Sequence, residues 1–251
     1  MKRTLIYIVF VISVATNAYC YNYGTLIGNT DGCEKGEYKA CNDLAGMYLT
    51  GENKYKLRED KAKAQIYYDK SLSLSKKYCD AGNGKACAFL AQAYDGMRWG
   101  IDQDYKIMMK HLTKSCQNKY AGACYALGGA YKRGKGVVID KSKSLKYYEK
   151  SIEYSKEECN ANIGKSCERL GFIYSLGVIV KEDKKLAKKY YTKSLNIFMK
   201  ECDNKDSEGC YQVAFRYYYG SKMTEKNIKK ALPLFKKSCE YGESSSCRYT
   251  K

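Results

Sequence analysis

The apolar positions of this chain recur at spacings of three and four. Leu44, Ala45 and Tyr48 form a triplet that returns as Leu90, Ala91, Tyr94, as Leu127, Gly128, Tyr131, as Leu170, Gly171, Tyr174, and as Val213, Ala214, Tyr217. Such spacing lines one face of a helix, so five short first helices are predicted. Three residues past the Tyr stands Gly51, Gly134, Gly177 or Gly220, with Gly96 one residue early in the second unit, where a left-handed cap would end a helix. A second helix then starts at an aligned cap, Asp60, Asp104, Asp140, Asp183 or Asn227, whose side-chain oxygen can accept orphan N–H groups. Ten residues later come Lys70, Lys114, Lys150, Lys193 and Lys237, followed by Ser71, Ser115, Ser151, Ser194 and Ser238. Bulky pairs such as Tyr67-Tyr68, Tyr147-Tyr148 and Tyr190-Tyr191 precede them and are expected to pack on the neighbouring helix.

Cysteines mark the same period. Of 13 in the chain, twelve fall into pairs that each enclose seven residues: Cys33/Cys41, Cys79/Cys87, Cys116/Cys124, Cys159/Cys167, Cys202/Cys210 and Cys239/Cys247. In three units the recurring Ser precedes the next Cys by eight residues (Ser71, Ser151, Ser194), in two by only one (Ser115, Ser238). A difference of seven is nearly two helical turns at about 3.6 residues per turn and keeps the Cys on its face, whereas a strand would flip it. The prediction is an all-α chain, a right-handed α/α superhelical solenoid of five helix pairs with terminal half-units over residues 33–247. Pairing each Cys with its near partner gives every unit the same geometry, although spacing alone does not prove connectivity. Each such bridge would add about 2.5 kcal/mol by closing a short loop. Metal binding is the rival reading of the pairs, and a chain with a single His is poorly equipped for it. No metal and no cofactor are therefore expected. Pro233, inside the last second helix, should remove one helical hydrogen bond and kink it.

The first twenty residues differ in kind. Met1-Lys2-Arg3 precedes an apolar run from Leu5 to Val14 and a small, polar stretch to Cys20, which reads as a secretory signal peptide over 1–20, cut after Cys20 or after Ala18. A lipoprotein with Cys20 acylated is the competing reading, against which bulky Tyr19 speaks. Residues 21–32 then form a lead-in and 248–251 a tail. No later segment reaches the eighteen apolar residues of a membrane span, so a secreted or periplasmic, oxidised chain is expected.

With these features the chain resembles the Sel1-like repeat, a relative of the tetratricopeptide repeat. The carriers are L-A/G-x-x-Y-x-x-G, the capped Y-Y-x-K-S helix and the Cys-seven-Cys joint, and more narrowly they resemble the secreted Helicobacter cysteine-rich proteins. Val213 and Leu234 depart from the commoner Leu and Tyr. The resemblance implies a right-handed solenoid that holds peptides or proteins. It also implies penicillin binding with slow β-lactam hydrolysis, the activity by which the narrower family is commonly described.

Catalytic residues for that activity are not found. Serine β-lactamases carry S-x-x-K with S-D-N and K-T-G. Only Ser73-Leu74-Ser75-Lys76 fits the first, and the other two are missing. His111, the one candidate base, stands in the slot filled by Tyr67, Tyr147, Tyr190 and Leu234 in other units, which argues for packing. Binding residues are expected instead on the inner surface, at positions one, five and eight after the second Cys, which share a helix face and vary between units. They include Gln92, Tyr125, Lys132, Glu168, Phe172, Tyr211, Phe215 and Tyr218. A formal charge of +18 adds attraction for anionic partners, with pairs such as Lys184-Lys185 and Lys188-Lys189 on helix faces. The expected partner is thus a peptide or protein, with an anionic cell-wall or host surface and a β-lactam as alternatives. Nucleic acid is not expected, and the chain is expected to be a monomer.

Overall fold

A computed structural model describes residues 26–51, 57–96, 102–177, 179–220 and 224–250. The predicted signal peptide, both cleavage sites and Cys20 lie outside the described residues. All regular structure among the described residues is helical, apart from an isolated bridge residue at 224. Helix α1 covers 26–34. The helix pairs are α2 (Tyr38–Thr50) with α3 (Lys61–Asp80), α4 (Gly84–Ala93) with α5 (Tyr105–Gln117), α6 (Ala121–Arg133) with α7 (Lys141–Asn160), α8 (Gly164–Leu176) with α9 (Lys184–Asp203), and α10 (Ser207–Tyr219) with α11 (Ile228–Glu240). A 3-10 helix, Ser244–Tyr249, follows. The second helices come in two lengths seven residues apart, as the spacing predicts: α3, α7 and α9 have 20 residues, α5 and α11 have 13.

The described residues form two compact units, one ending at Leu74 and one starting at Ser75, divided within α3. In the first, Cys33, Ala40, Cys41, Leu44 and Met47 are buried together against Leu26, Leu57, Tyr67 and Leu74. In the second, each first helix packs on its own second helix, and α5, α7 and α9 pack on α6, α8 and α10 in turn. Leu127 and Leu170, from the recurring triplets, sit at the centres of two of its apolar clusters.

Three devices repeat in every pair. The cap side chain of Asp60, Asp104, Asp140, Asp183 or Asn227 accepts an N–H three residues on, at 2.8–3.0 Å. The backbone N–H of the same residue donates to the carbonyl of the triplet Tyr (Tyr48, Tyr94, Tyr131, Tyr174, Tyr217), closing connections of unequal length in one way. The fully buried hydroxyls of Ser71, Ser115, Ser151, Ser194 and Ser238 donate to the carbonyl of the first residue of the paired helix, at 2.6–2.9 Å. Each fastens the second helix to the start of the first, from mid-helix in α3, α7 and α9 and from the last turn in α5 and α11.

Six disulfides, Cys33–Cys41, Cys79–Cys87, Cys116–Cys124, Cys159–Cys167, Cys202–Cys210 and Cys239–Cys247, join each helix end to the next helix start. Three residues after the first Cys of every pair the backbone has positive φ: Gly36, Gly82, Lys119, Asn162, Lys205, Gly242. The N–H of that residue returns to the Cys carbonyl and the next N–H to the carbonyl before it, a Schellman end at all six joints.

Two sequence expectations need correction. The left-handed cap is present at Gly51, Gly134 and Gly177 but not in the other two pairs. Gly96 comes one residue early, so α4 ends at Ala93 with Tyr94 in right-handed geometry, and Gly220 combines φ 74° with ψ 168°. Pro233 lies inside α11 (Ile228–Glu240), where the sequence places it, and has no N–H to give to the helix ladder. Arg248 and Tyr249, placed in a tail by the sequence, belong to the closing 3-10 helix, where the Tyr249 ring stacks on Phe235 at 4.1 Å.

Candidate functional site

A cavity of about 290 Å³ opens in the second unit where α6, α7 and α8 meet. Its lining is Tyr125, Lys132, Arg133, Tyr148, Phe172, Ile173, Leu176 and Ile179. Helix periodicity places Tyr125 and Lys132 seven residues apart on one face of α6, while Gly128 lets the Tyr148 ring lie against the backbone between them. A Cβ on Gly128 would sit 2.7 Å from that ring. The Tyr125 and Tyr148 rings meet at 5.2 Å and 58°, forming an aromatic wall. Burial pushes the Tyr125 phenol above its ordinary value, with Arg133 and Arg169 pulling the other way. Phe172 faces this wall from α8 and remains 42% exposed. Lys132 and Arg133 bring positive charge and take part in none of the ion pairs among the described residues.

Three of the predicted binding residues, Tyr125, Lys132 and Phe172, thus come together. Five others are placed elsewhere. Gln92 is exposed on α4 and does not line the cavity. Glu168 is bound to Arg216 at 2.6 Å, and that buried guanidinium also lies 4.7 Å over the Phe198 ring. Tyr211, Phe215 and Tyr218 lie in the aromatic cluster around Phe235 and Tyr249. Tyr211 and Tyr218 are half-buried there, whereas Phe215 is 40% exposed. The sequence reading missed Arg133, Ile173, Leu176 and Ile179 as lining residues and gave Tyr148 to helix packing alone. Ring bulk at Tyr148 opposite a glycine was the available signal.

Of the groups the sequence singled out for hydrolysis, Lys76, His111 and the recurring Ser are engaged in structural contacts. Ser73 is exposed on α3, and Lys76 is ion-paired at 3.0 Å with Asp80, whose carboxyl is lowered to about 2 by hydrogen bonds from Lys114 and Lys76. His111 stacks on Tyr94 at 6.0 Å, as Tyr67, Tyr147 and Tyr190 stack on Tyr48, Tyr131 and Tyr174 at 5.5–5.8 Å. Burial, with Lys110 and Lys114, pushes its imidazole down. Each recurring Ser hydroxyl is buried against a carbonyl, out of reach of a substrate.

Helix pairs joined by repeated caps and staples define a helical repeat protein. A model of the Sel1 repeat matches residues 39–75, 121–153, 164–196 and 207–242, more than half of the chain, and the chain belongs to the Sel1 repeat family. Repeats of this family generally mediate protein binding. The pair α4–α5, left unmatched, carries the early Gly96 and His111 yet keeps the same cap and Ser bonds. Among solved structures, Helicobacter pylori cysteine rich protein B is 30% identical, covering 56% of this chain and 95% of that one, with a TM-score of 0.29. A putative Sel1 repeat protein from Klebsiella pneumoniae is 19% identical over 89% of this chain and 96% of that one, at 0.40. The protective antigen c5321 of uropathogenic Escherichia coli, which displays an SLR fold, is 17% identical at 0.31, and the chain aligns with 90% of itself to 66% of that protein. None of the curated proteins matches the chain. Six disulfides fit an extracellular or periplasmic protein, and no helix among the described residues is long and apolar enough to cross a membrane.

Proposed function

We propose that this chain is an exported binding scaffold that holds a peptide or protein segment at the α6–α7–α8 cavity. The observation that carries the reading is the exposed Phe172 ring opposite the Tyr125–Tyr148 wall, in an apolar recess edged by Lys132 and Arg133. A recess of this size accepts one bulky apolar side chain, and the two cations favour a carboxylate beside it. Aromatic residues that are half-buried in the free protein and can be fully covered by a partner are the type that dominates interface energetics. The disulfides and caps hold the wall rigid, so little ordering cost falls on binding.

The test is selection from a random peptide library by the oxidised chain, followed by affinity measurement on the selected peptide. Replacement of Phe172 by Ala should weaken it by about 2 kcal/mol, a factor near 30, and Lys132→Gln by less. Affinity unchanged in Phe172→Ala and in Tyr125→Ala would remove the cavity from the account.

A further inference from the structure

A set of lysines that the cavity does not use falls in register on four of the five second helices. Counted from the cap, positions two, six and ten lie four residues apart and share a face, α3 having Ala62 and Ile66 in the first two of these places. On α9 they are Lys185, Lys189 and Lys193, and on α5 Lys106, Lys110 and Lys114. Helix α7 places Lys146 and Lys150 there, and α11 Lys229 and Lys237, with Ser142 and Pro233 in the remaining places. No Asp or Glu occupies any of these positions. The register is structural, because each of these helices starts from the same cap bond and is fixed by the same Ser hydroxyl. Equivalent faces of successive pairs therefore carry the charge. Lys114 is ion-paired with Asp80 at 2.7 Å, while the other lysines of the set enter none of the ion pairs among the described residues. Between Lys184 and Lys200, α9 has no acidic residue at all.

We propose that this face binds an acidic polysaccharide, a linear polymer bearing sulfate or carboxylate groups. Lysines four apart on a helix rise by about 6 Å, less than the screening length of about 8 Å at physiological salt, so their fields merge into a strip. Lys is a hydrated point charge without the fixed fork of Arg, which suits many anionic groups met in varied geometry rather than one bidentate contact. A lipid surface would call for a continuous apolar companion stripe. Leu145 and Leu232 are exposed at position five of α7 and α11, but α9 has Lys188 there and interrupts it. The disulfides fit compartments outside the cytosol, where acidic polysaccharides are among the polyanions a protein meets.

The test compares heparin binding by the full oxidised chain with two triple variants of equal net charge. Lys185→Gln/Lys189→Gln/Lys193→Gln removes the α9 strip, and Lys39→Gln/Lys85→Gln/Lys226→Gln removes exposed lysines outside it. The strip variant should bind about tenfold or more weakly and show a shallower dependence of log K on log salt, with the control within about twofold of the parent. A double variant of the exposed Lys185 and Lys189 keeps the comparison readable if loss of half-buried Lys193 impairs folding. Equal losses in the two triple variants would overturn the proposal, as net charge alone would then be acting. Tighter binding to phosphatidylglycerol vesicles, or to duplex DNA, than to heparin at matched anionic charge would also overturn it.

Discussion

Lys205 holds φ +65° at a joint position where Gly36, Gly82 and Gly242 hold the same sign. A side chain in that conformation costs about 1 kcal/mol that glycine does not. Lys205→Gly should therefore raise the melting temperature by about 2–4 °C, and Gly82→Ala should lower it, both measured by calorimetry of the oxidised chain. At His111 the sequence showed the slot and the structure shows its content, a ring stacked on Tyr94 with a buried Nδ1 that has no hydrogen-bond partner. Its lowered pKa means that the folded state disfavours the proton. The stabilisation is complete above the unfolded value of 6.5 and is lost as pH falls through the lower folded value. His111→Tyr, which restores the ring found in three other pairs, should leave an offset from the parent that is constant above pH 7 and widens below 6.5. An offset that stays constant with pH would show that the imidazole does not titrate in this way.

Helices were the most legible level. The seven-residue difference between Ser and Cys spacings corresponds to the difference between 20-residue and 13-residue second helices. Cap residues were legible in identity and in role, because an aligned Asp or Asn before a periodic stretch has one local use. The recurring Ser was legible only as a position. Its bond runs to a carbonyl about thirty residues earlier, which no local pattern contains. Joint geometry stayed hidden for the opposite reason: Lys119 and Lys205 occupy a conformation usually marked by glycine. If the Ser bonds fasten each pair, Ser151→Ala should cost about 1–2 kcal/mol in chemical denaturation by leaving a buried carbonyl with one partner fewer. The same change at exposed Ser73 should cost nearly nothing. Equal costs would show that the buried hydroxyl contributes only bulk.

Across the molecule, the candidate site was half legible. A variable stripe on the first helices identified Tyr125, Lys132 and Phe172, since helix phase says which residues leave the core of their own pair. It does not say what the next element places over them. Tyr211 and Tyr218 are partly covered by Phe235 and Tyr249, and the latter comes from a segment that reads as a tail. Glu168 is taken by Arg216, a residue two turns into the following first helix and invisible to a repeat comparison. A disulfide-stapled frame around a small aromatic recess and a lysine face elsewhere on the same pairs would let the chain hold a peptide while resting on an anionic matrix. The proposed peptide site is the α6–α7–α8 cavity. Amide and methyl chemical-shift mapping of the oxidised chain, titrated with the library-selected peptide, tests it most directly. The account predicts shifts concentrated at Tyr125, Lys132, Phe172, Ile173 and Leu176, and shifts confined to other helices would contradict it.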